Sequence, residues 1–405
     1  MHDVAVIGGG PVGSHIAARL AGRGYDVAVL ERKQFLSEPV CCTGIIGREC
    51  VNAFSIDEDL IWRWMNGARV ISPSGKIARL WRPTPQAALV DRVGLNISLA
   101  SRAKGRGVEY LMGTQVGVIT AQDDHVTVGA AQSGTPLNIE ARVAVVATGF
   151  SPGFTEDIGL GRAGDSVAGA QAEVIAPGIE DIEVYCGQEV APGFFAWLAP
   201  TAPGCALVGL LSRRRPGVYL DKFLSFLQAE GKIASVNTET MHWGISLKPP
   251  SKTYGQRLLV VGTAAGQVKP TTGGGIYYGL LCADIAADHL HRALAADDLS
   301  ARSLSRYERD WKKKLGRELR IGSWARKVYE NLEDDQIEKI FDIIQSSNIL
   351  DDLQKAEDLS FDWHGGVIFR VTNYQVFLKT IAAMNIPGTL MRRLTRWGRG
   401  DKAAN

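Results

Sequence analysis

The run Gly8-Gly9-Gly10-Pro11-Val12-Gly13 fits G-x-G-x-x-G, a spacing suited to gripping a diphosphate. Gly8 permits a tight turn from strand to helix. Gly10 carries no side chain, so a pyrophosphate can approach the backbone. Gly13 lets the helix lie close on the sheet. The start of such a helix offers free N–H groups and a partial positive charge to phosphate oxygens. Glu31 follows at the end of the next apolar run. Its carboxylate can accept hydrogen bonds from ribose hydroxyls and would repel a 2′-phosphate. This chemistry is the binding of an adenine dinucleotide, and by itself it does not separate FAD from NAD.

The elements that position these residues are legible around them. Asp3 to Ile7 reads as a short buried strand, Pro11 to about Arg23 as a helix with Val12, Ile16 and Leu20 on one face, and Asp26 to Leu30 as a second strand. That order opens a βαβ unit with a parallel sheet. A helix from Val93 to Lys104 follows, then short strands at Thr114 to Ala121, His125 to Ala130 and Arg142 to Ala147, separated by turn residues. Arg257 to Val261 reads as another strand, running into a helix from about Gly275 to Leu294. The fold class expected is α/β: a Rossmann-like domain with an inserted antiparallel-sheet substrate domain and a helical C-terminal region. The dinucleotide domain is assigned residues 1–67, 90–167 and 249–299, the substrate domain 68–89 and 168–248, and the helical region 300–405.

Later glycine turns favour FAD over NAD. Val145-Val146-Ala147-Thr148-Gly149 is a second strand-to-glycine turn, and Gly262-Thr263-Ala264-Ala265-Gly266 a third, followed by Gly273-Gly274-Gly275-Ile276. A late glycine turn before a helix brings more backbone N–H groups to a ligand that extends well beyond its pyrophosphate, as FAD does.

With those segments in view, the chain resembles the geranylgeranyl reductase family of FAD-dependent oxidoreductases, which is related to the aromatic flavin hydroxylases. Four segments within about the first 295 residues carry the likeness: the N-terminal fingerprint with Glu31, the loop Pro39-Val40-Cys41-Cys42-Thr43-Gly44-Ile45, the stretch Pro192-Gly193-Phe194-Phe195-Ala196-Trp197-Leu198-Ala199-Pro200, and Gly262 to Gly279. The third is similar to the family's P-x-x-Y-x-W-x-F-P and the fourth to its G-D-A-A-G-x-x-x-P-x-x-G-G-G-I. Thr263 stands where the family has Asp, and Phe195 and Ala199 where it has Tyr and Phe. The halogenase motif W-x-W-x-I-P is absent.

The resemblance implies FAD contacts at Val12, Glu31, Cys42, Thr43, Ile45, Arg92, Thr263, Gly275 and Ile276, beside Gly8, Gly10 and Gly13 of the fingerprint. It also implies reduction of C=C bonds in a prenyl chain, on an isoprenoid lipid or a prenyl diphosphate. An isolated alkene accepts hydride poorly unless a proton arrives with it, so the site needs an acid, alignment and a dry pocket. Cys42 is the candidate acid, since a free thiol is mostly protonated at neutral pH. Its other reading is a packing contact, and Cys41 competes for the role. Phe194, Phe195 and Trp197 either line an isoprenoid channel or fill sheet core. Of Tyr277 and Tyr278, one is expected to pack inward and the other to face the flavin. A flavin monooxygenase of the aromatic hydroxylase type is the alternative function. The electron donor is NADPH or a ferredoxin, there being no second dinucleotide fingerprint.

The bulk numbers set limits. With 405 residues there is room for two domains, and a formal net charge of +2 gives no reason to expect nucleic acid. The 6 cysteines include no C-x-x-C pair, and the 7 histidines have no metal-ligand spacing, so no metal is expected. A strand pattern from Asp3 argues against a signal peptide, and a cytoplasmic protein is expected. No apolar run reaches the ~18 residues needed to cross a bilayer. The charge run Asp310 to Lys314 reads as a solvated helix face. Tyr374 to Trp397 mixes an apolar face with Lys379, Arg392, Arg393 and Arg396. That pattern suits a helix packed on its own domain or one lying on a membrane surface.

Overall fold

The computed structural model describes residues 1–372. The stretch Tyr374 to Trp397 lies outside the described residues. The first sheet is built on parallel strands in the order Leu258–Val260, Thr135–Val146, His2–Ile7, Val27–Glu31 and Glu109–Met112. It is buried on both faces, which is why these strands read as unbroken apolar runs. Val4 and Val6 enter one core with the helices Pro11–Ala21, Arg92–Lys104 and Ile276–Ala295. Ala5 and Ile7 enter another, beneath the antiparallel strands Thr114–Ala121 and Val126–Gln132. Thr135–Val146 is longer than the strand expected from Arg142. Its first half forms a hairpin with Val126–Gln132 through Ser133 and Gly134, both at positive φ, and its second half joins the parallel sheet.

The second sheet runs Ser235–Val236, Asp165–Ile175, Cys205–Ser212, Phe195–Pro200, Ile182–Cys186, Gly67–Ile71 and Ile77–Trp81, with Met241–Lys248 also on Asp165–Ile175. The sequence-based expectation of an antiparallel sheet needs one correction. Ile182–Cys186 pairs parallel with Gly67–Ile71, two strands from separate stretches of chain that no hairpin constrains. Alternation along Phe195–Pro200 divides two cores. Ala196 and Leu198 meet Leu220, Phe223 and Leu227 of helix Pro216–Ala229. Trp197 and Ala199 face Leu89, Ile245 and Val268 on the side of the first sheet.

Helix Ala301–Glu330 packs along Ile276–Ala295. The charge run on it is not wholly solvated, because Trp311 is 1% exposed and donates from Nε1 to Thr253 Oγ1 at 2.9 Å. Residues 360–365 then return to Glu49, Lys269, Thr271 and Glu318. Trp363 Nε1 donates to Glu49 Oε2 at 2.9 Å, and Gly365 N to Glu318 Oε2 at 2.8 Å. His364 sits between the Phe361 carbonyl, 2.9 Å from Nε2, and the Thr271 hydroxyl at Nδ1. A carbonyl only accepts, so Nε2 carries the proton and Nδ1 accepts from Thr271.

Burial, with Lys269 nearby, lowers the pKa of His364 to about 3. In the unfolded chain the imidazole titrates near 6.5 (about that of a free His). A depressed folded value means the stabilisation is complete above about pH 6.5 and is lost as pH falls from there towards 3. Urea midpoints at about pH 7 and about pH 4.5 check this. The drop between them should be smaller for His364→Asn than for the unaltered chain, and equal drops would remove the role.

Candidate functional site

A cavity of about 560 Å³ lies at the carboxyl ends of the parallel strands, where Ile7, Glu31, Ala147 and Val261 emerge. This is the crevice an open α/β sheet offers a ligand, at the point where strand order reverses. The three fingerprint glycines have separate tasks there. Gly8 has φ +107°, and a Cβ on it would lie 2.5 Å from the Ala147 carbonyl oxygen. A Cβ on Gly13 would lie 1.9 Å from the Gly8 carbonyl oxygen, so Gly13 sits behind the turn and off the cavity wall. Gly10 has nothing within 4 Å of its absent side chain, which leaves its backbone open to a ligand.

Two helix starts converge on the cavity. Gly10 precedes Pro11–Ala21 and Gly275 precedes Ile276–Ala295; neither helix has a side-chain cap or an acidic residue in its first turn. Their free N–H groups therefore stand ready for an anion. At the adenosine end, Glu31 is 8% exposed and already accepts from Gly9 N at 2.6 Å and Lys33 N at 2.9 Å. Those bonds fix the carboxylate and leave further lone pairs for ribose hydroxyls. Arg92 is 8% exposed; its Nε and the Thr148 hydroxyl are buried on the cavity wall without a hydrogen-bond partner. Buried polar atoms of this kind call for a partner, and a ligand rich in phosphate and hydroxyl oxygens supplies one. The residues present fit FAD.

The other expected contacts divide. Val12, Cys42, Thr263 and Ile276 line the cavity with the residues already named. Thr43 and Ile45 do not: the Thr43 hydroxyl donates to Gln171 Oε1 at 2.8 Å, and Ile45 pairs with Leu89 in a small third sheet. The expectation that one of Tyr277 and Tyr278 faces the flavin is corrected. Both turn inward, Tyr277 to Glu49 and Tyr278 to the Asp362 carbonyl at 3.1 Å, because the helix start spends its open side on Gly275 and Ile276.

Phe194, Phe195 and Trp197 are also off the cavity wall. Phe194 is 1% exposed, with the guanidinium groups of Arg213 and Arg326 at 5.5 and 5.7 Å from its ring centre. Those two arginines alternate with Asp165 and Glu330 in a closed ring of four charges, with contacts of 2.6 to 2.7 Å. Trp197 reaches the wall through its neighbours Trp243 and Ile245. Its ring is 6.3 Å from that of Trp243, which does line the cavity, along with His242, Ile245 and Phe150. Sequence reasoning put Met241–Lys248 in the antiparallel-sheet region but missed its place on the cavity wall. The signal was the pairing of each tryptophan with a glycine: Trp197 lies opposite Gly209 and Trp243 opposite Gly169, and a Cβ on either glycine would lie 2.5 Å from the ring. Among the described residues, no group of three His, Cys, Asp or Glu is placed to hold a metal.

Arg92→Met should weaken FAD binding roughly tenfold to a hundredfold, the worth of a charge-assisted hydrogen bond. Titrating the apoprotein with FAD measures it; an unchanged dissociation constant would place Arg92 outside the site. Arg326→Met should cost about 3 kcal/mol in urea unfolding, since it removes the buried guanidinium and leaves Asp165 and Glu330 sharing the half-buried Arg213.

The comparisons with known proteins support FAD as the cofactor. A family model described as FAD dependent oxidoreductase matches residues 3–39. Digeranylgeranylglycerophospholipid reductase of Methanocaldococcus jannaschii is 29% identical, over 88% of this chain and 93% of the relative. Digeranylgeranylglycerophospholipid reductase 1 of Methanothermobacter thermautotrophicus is 30% identical, over 85% and 90%. Among solved structures, a geranylgeranyl bacteriochlorophyll reductase-like protein of Thermoplasma acidophilum superposes with a TM-score of 0.81 at 22% identity, covering 98% of both chains. A p-nitrophenol 4-monooxygenase of Pseudomonas putida gives a TM-score of 0.69 at 16% identity, covering 94% of this chain and 97% of that one. Such likenesses at low identity speak for the fold, while the end-to-end sequence relationship is with the reductases. The chain binds FAD, and it belongs to the geranylgeranyl reductase family of FAD-dependent oxidoreductases.

Proposed function

We propose that this protein saturates the C=C bonds of isoprenoid chains on a glycerophospholipid carrying two geranylgeranyl groups. The observation that carries the reading is the relationship over nearly the whole chain to reductases named for that lipid. The cavity is consistent with it. Beside the Gly273 and Gly275 turn its wall is Trp243, Ile245 and Ile276, an apolar surface against which a hydrocarbon chain can lie without leaving polar groups unpaired. The aromatic hydroxylase alternative shares the fold and the cofactor, so fold does not separate the two.

When bound and reduced, FAD supplies the hydride. The chain's own residues have three tasks. The apolar wall orients the alkene and excludes water. Glycine turns and helix starts hold the cofactor still. A thiol holds the proton that the neighbouring carbon must receive. Cys41 and Cys42 both line the cavity. Burial above all, with Cys42 beside it, pushes the Cys41 thiol up to about 12, so it keeps its proton at neutral pH. We assign donation to Cys42 and leave Cys41 as its packed neighbour. A reductant reloads the cofactor, and NADPH and a ferredoxin are the two donors to be compared by anaerobic bleaching of the flavin band. Among the described residues no helix is long and apolar enough to cross a membrane.

The test mixes the dithionite-reduced protein, without oxygen, with the two-chain geranylgeranyl lipid. Reoxidation of the flavin should accompany a product heavier by two hydrogens per bond reduced. No reoxidation, with NADPH-driven oxygen uptake on a phenol instead, would turn the reading to a hydroxylase. In the same assay Cys42→Ser should slow reoxidation about a hundredfold, the low end for loss of a positioned proton donor. Cys41→Ser should change it little; the reverse ranking would move the role to Cys41.

A further inference from the structure

Lys269 and Asp362 form an ion pair almost wholly out of water. Their side chains are 6% and 1% exposed, and Nζ lies 2.8 Å from Oδ1. Neither residue is on the cavity wall. Burying two ions is expensive, and apolar side chains of similar size often give equal or greater stability. What an ion pair supplies that apolar packing does not is direction, and here the direction joins two distinct parts of the chain.

One part is the late glycine turn. The Lys269 N–H donates to the Gly274 carbonyl at 2.9 Å, and its own carbonyl accepts from Gly273 N at 2.8 Å. Anchoring Lys269 therefore anchors the turn. The cavity side of that turn is Gly273 and Gly275. A Cβ on Gly273 would lie 2.6 Å from Ile245 Cδ1, so the turn has little room to shift.

The other part is the returning segment 360–365. Lys269 Nζ also donates to the Phe361 carbonyl at 3.1 Å, with the Phe361 and Tyr278 ring centres at 4.6 and 6.0 Å. Tyr278, on the helix that Gly275 starts, donates to the Asp362 carbonyl. The Asp362 carboxylate is seated against Gly47, where a Cβ would lie 1.9 Å from Oδ2. That Oδ2 has no hydrogen-bond partner, so the lysine carries the whole compensation for the buried charge. Burial lowers the pKa of Lys269, and Asp362 opposes that shift, so the ammonium depends on its partner.

We propose that Lys269 and Asp362 are positioning residues for the cofactor. Through this pair the segment 360–365 acts as a strap, holding residues 269–275 in the shape that aims the start of helix Ile276–Ala295 at the flavin nucleotide. The proposal rests on FAD binding and is independent of the prenyl substrate, so the two can fail separately.

The experiment compares apoprotein of the unaltered chain with Lys269→Met, Asp362→Leu and the double variant. Folding is followed by circular dichroism and urea midpoint, and FAD binding by flavin fluorescence. The double variant removes both charges, so it should fold with a midpoint near that of the unaltered chain. Its FAD dissociation constant should rise about tenfold or more, and its visible flavin band should change shape. A folded double variant that binds FAD within about twofold of the unaltered chain overturns the proposal. Hydrogen exchange on the unaltered chain decides the matter if the variants do not fold. Adding FAD should protect peptides covering 266–276 and 358–366 together; protection confined to the first would overturn the strap.

Discussion

The site depends on how closely two helix starts approach each other. Val12, in the first turn of Pro11–Ala21, fits against Gly262 and Gly279, and a Cβ on Gly279 would lie 2.5 Å from Val12 Cγ2. One valine between two glycines lets the helix that begins at Gly10 and the helix that begins at Gly275 stand side by side over the ends of the same strands. Each start carries about half a positive charge and unspent N–H groups. A single extended ligand can therefore touch both, its diphosphate at the first turn and its flavin end at the second. A larger residue at Gly279 would part the helices and divide the cavity.

Charge is distributed along the cavity in the order such a ligand needs. Glu31, held by two backbone N–H groups, stands at the adenosine end. Arg92 supplies a buried cation with an unpartnered Nε, and at the other end Trp243, Ile245 and Ile276 are apolar. The gradient runs from a carboxylate suited to ribose hydroxyls, through a cation suited to phosphate, to a surface suited to rings and hydrocarbon. Reversing the ligand would set ribose hydroxyls against the apolar wall and the flavin ring against the Glu31 carboxylate, so the arrangement sets the direction of binding as well as its strength.

The dinucleotide half was legible in the sequence because each of its parts is local. Gly8, Gly10 and Gly13 fall within one strand-to-helix turn of the sequence, and Glu31 closes the very next strand. The parallel sheet was legible for a related reason: a strand buried on both faces has to be apolar without interruption. What escaped reading depends on contacts between distant stretches. Trp243 reaches the cavity because Asp165–Ile175 carries Gly169 opposite it, and Phe194 is enclosed because Arg326, far along the chain, stacks over its ring. The parallel pairing of Ile182–Cys186 with Gly67–Ile71 is likewise set by the meeting of two separate segments. Both tyrosines after Ile276 turned inward for partners, Glu49 and Asp362, that no periodicity announces.

The shared fold constrains where specificity can reside. A p-nitrophenol 4-monooxygenase shares the fold of this relative of lipid reductases, so the fold does not choose between the two activities. The choice falls to surfaces that meet the ring end of the cofactor. One is the wall formed by Met241–Lys248, backed by the row of rings Phe195, Trp197 and Trp243 at spacings of 6.1 and 6.3 Å. Each tryptophan packs closely over a glycine of the facing strand, so the wall is apolar and has little room to shift. A stiff apolar wall aligns a chain of repeating isoprene units at whichever bond reaches the flavin, without reading any one polar group. That fits a reductase of isoprenoid chains better than a pocket shaped to a single phenol.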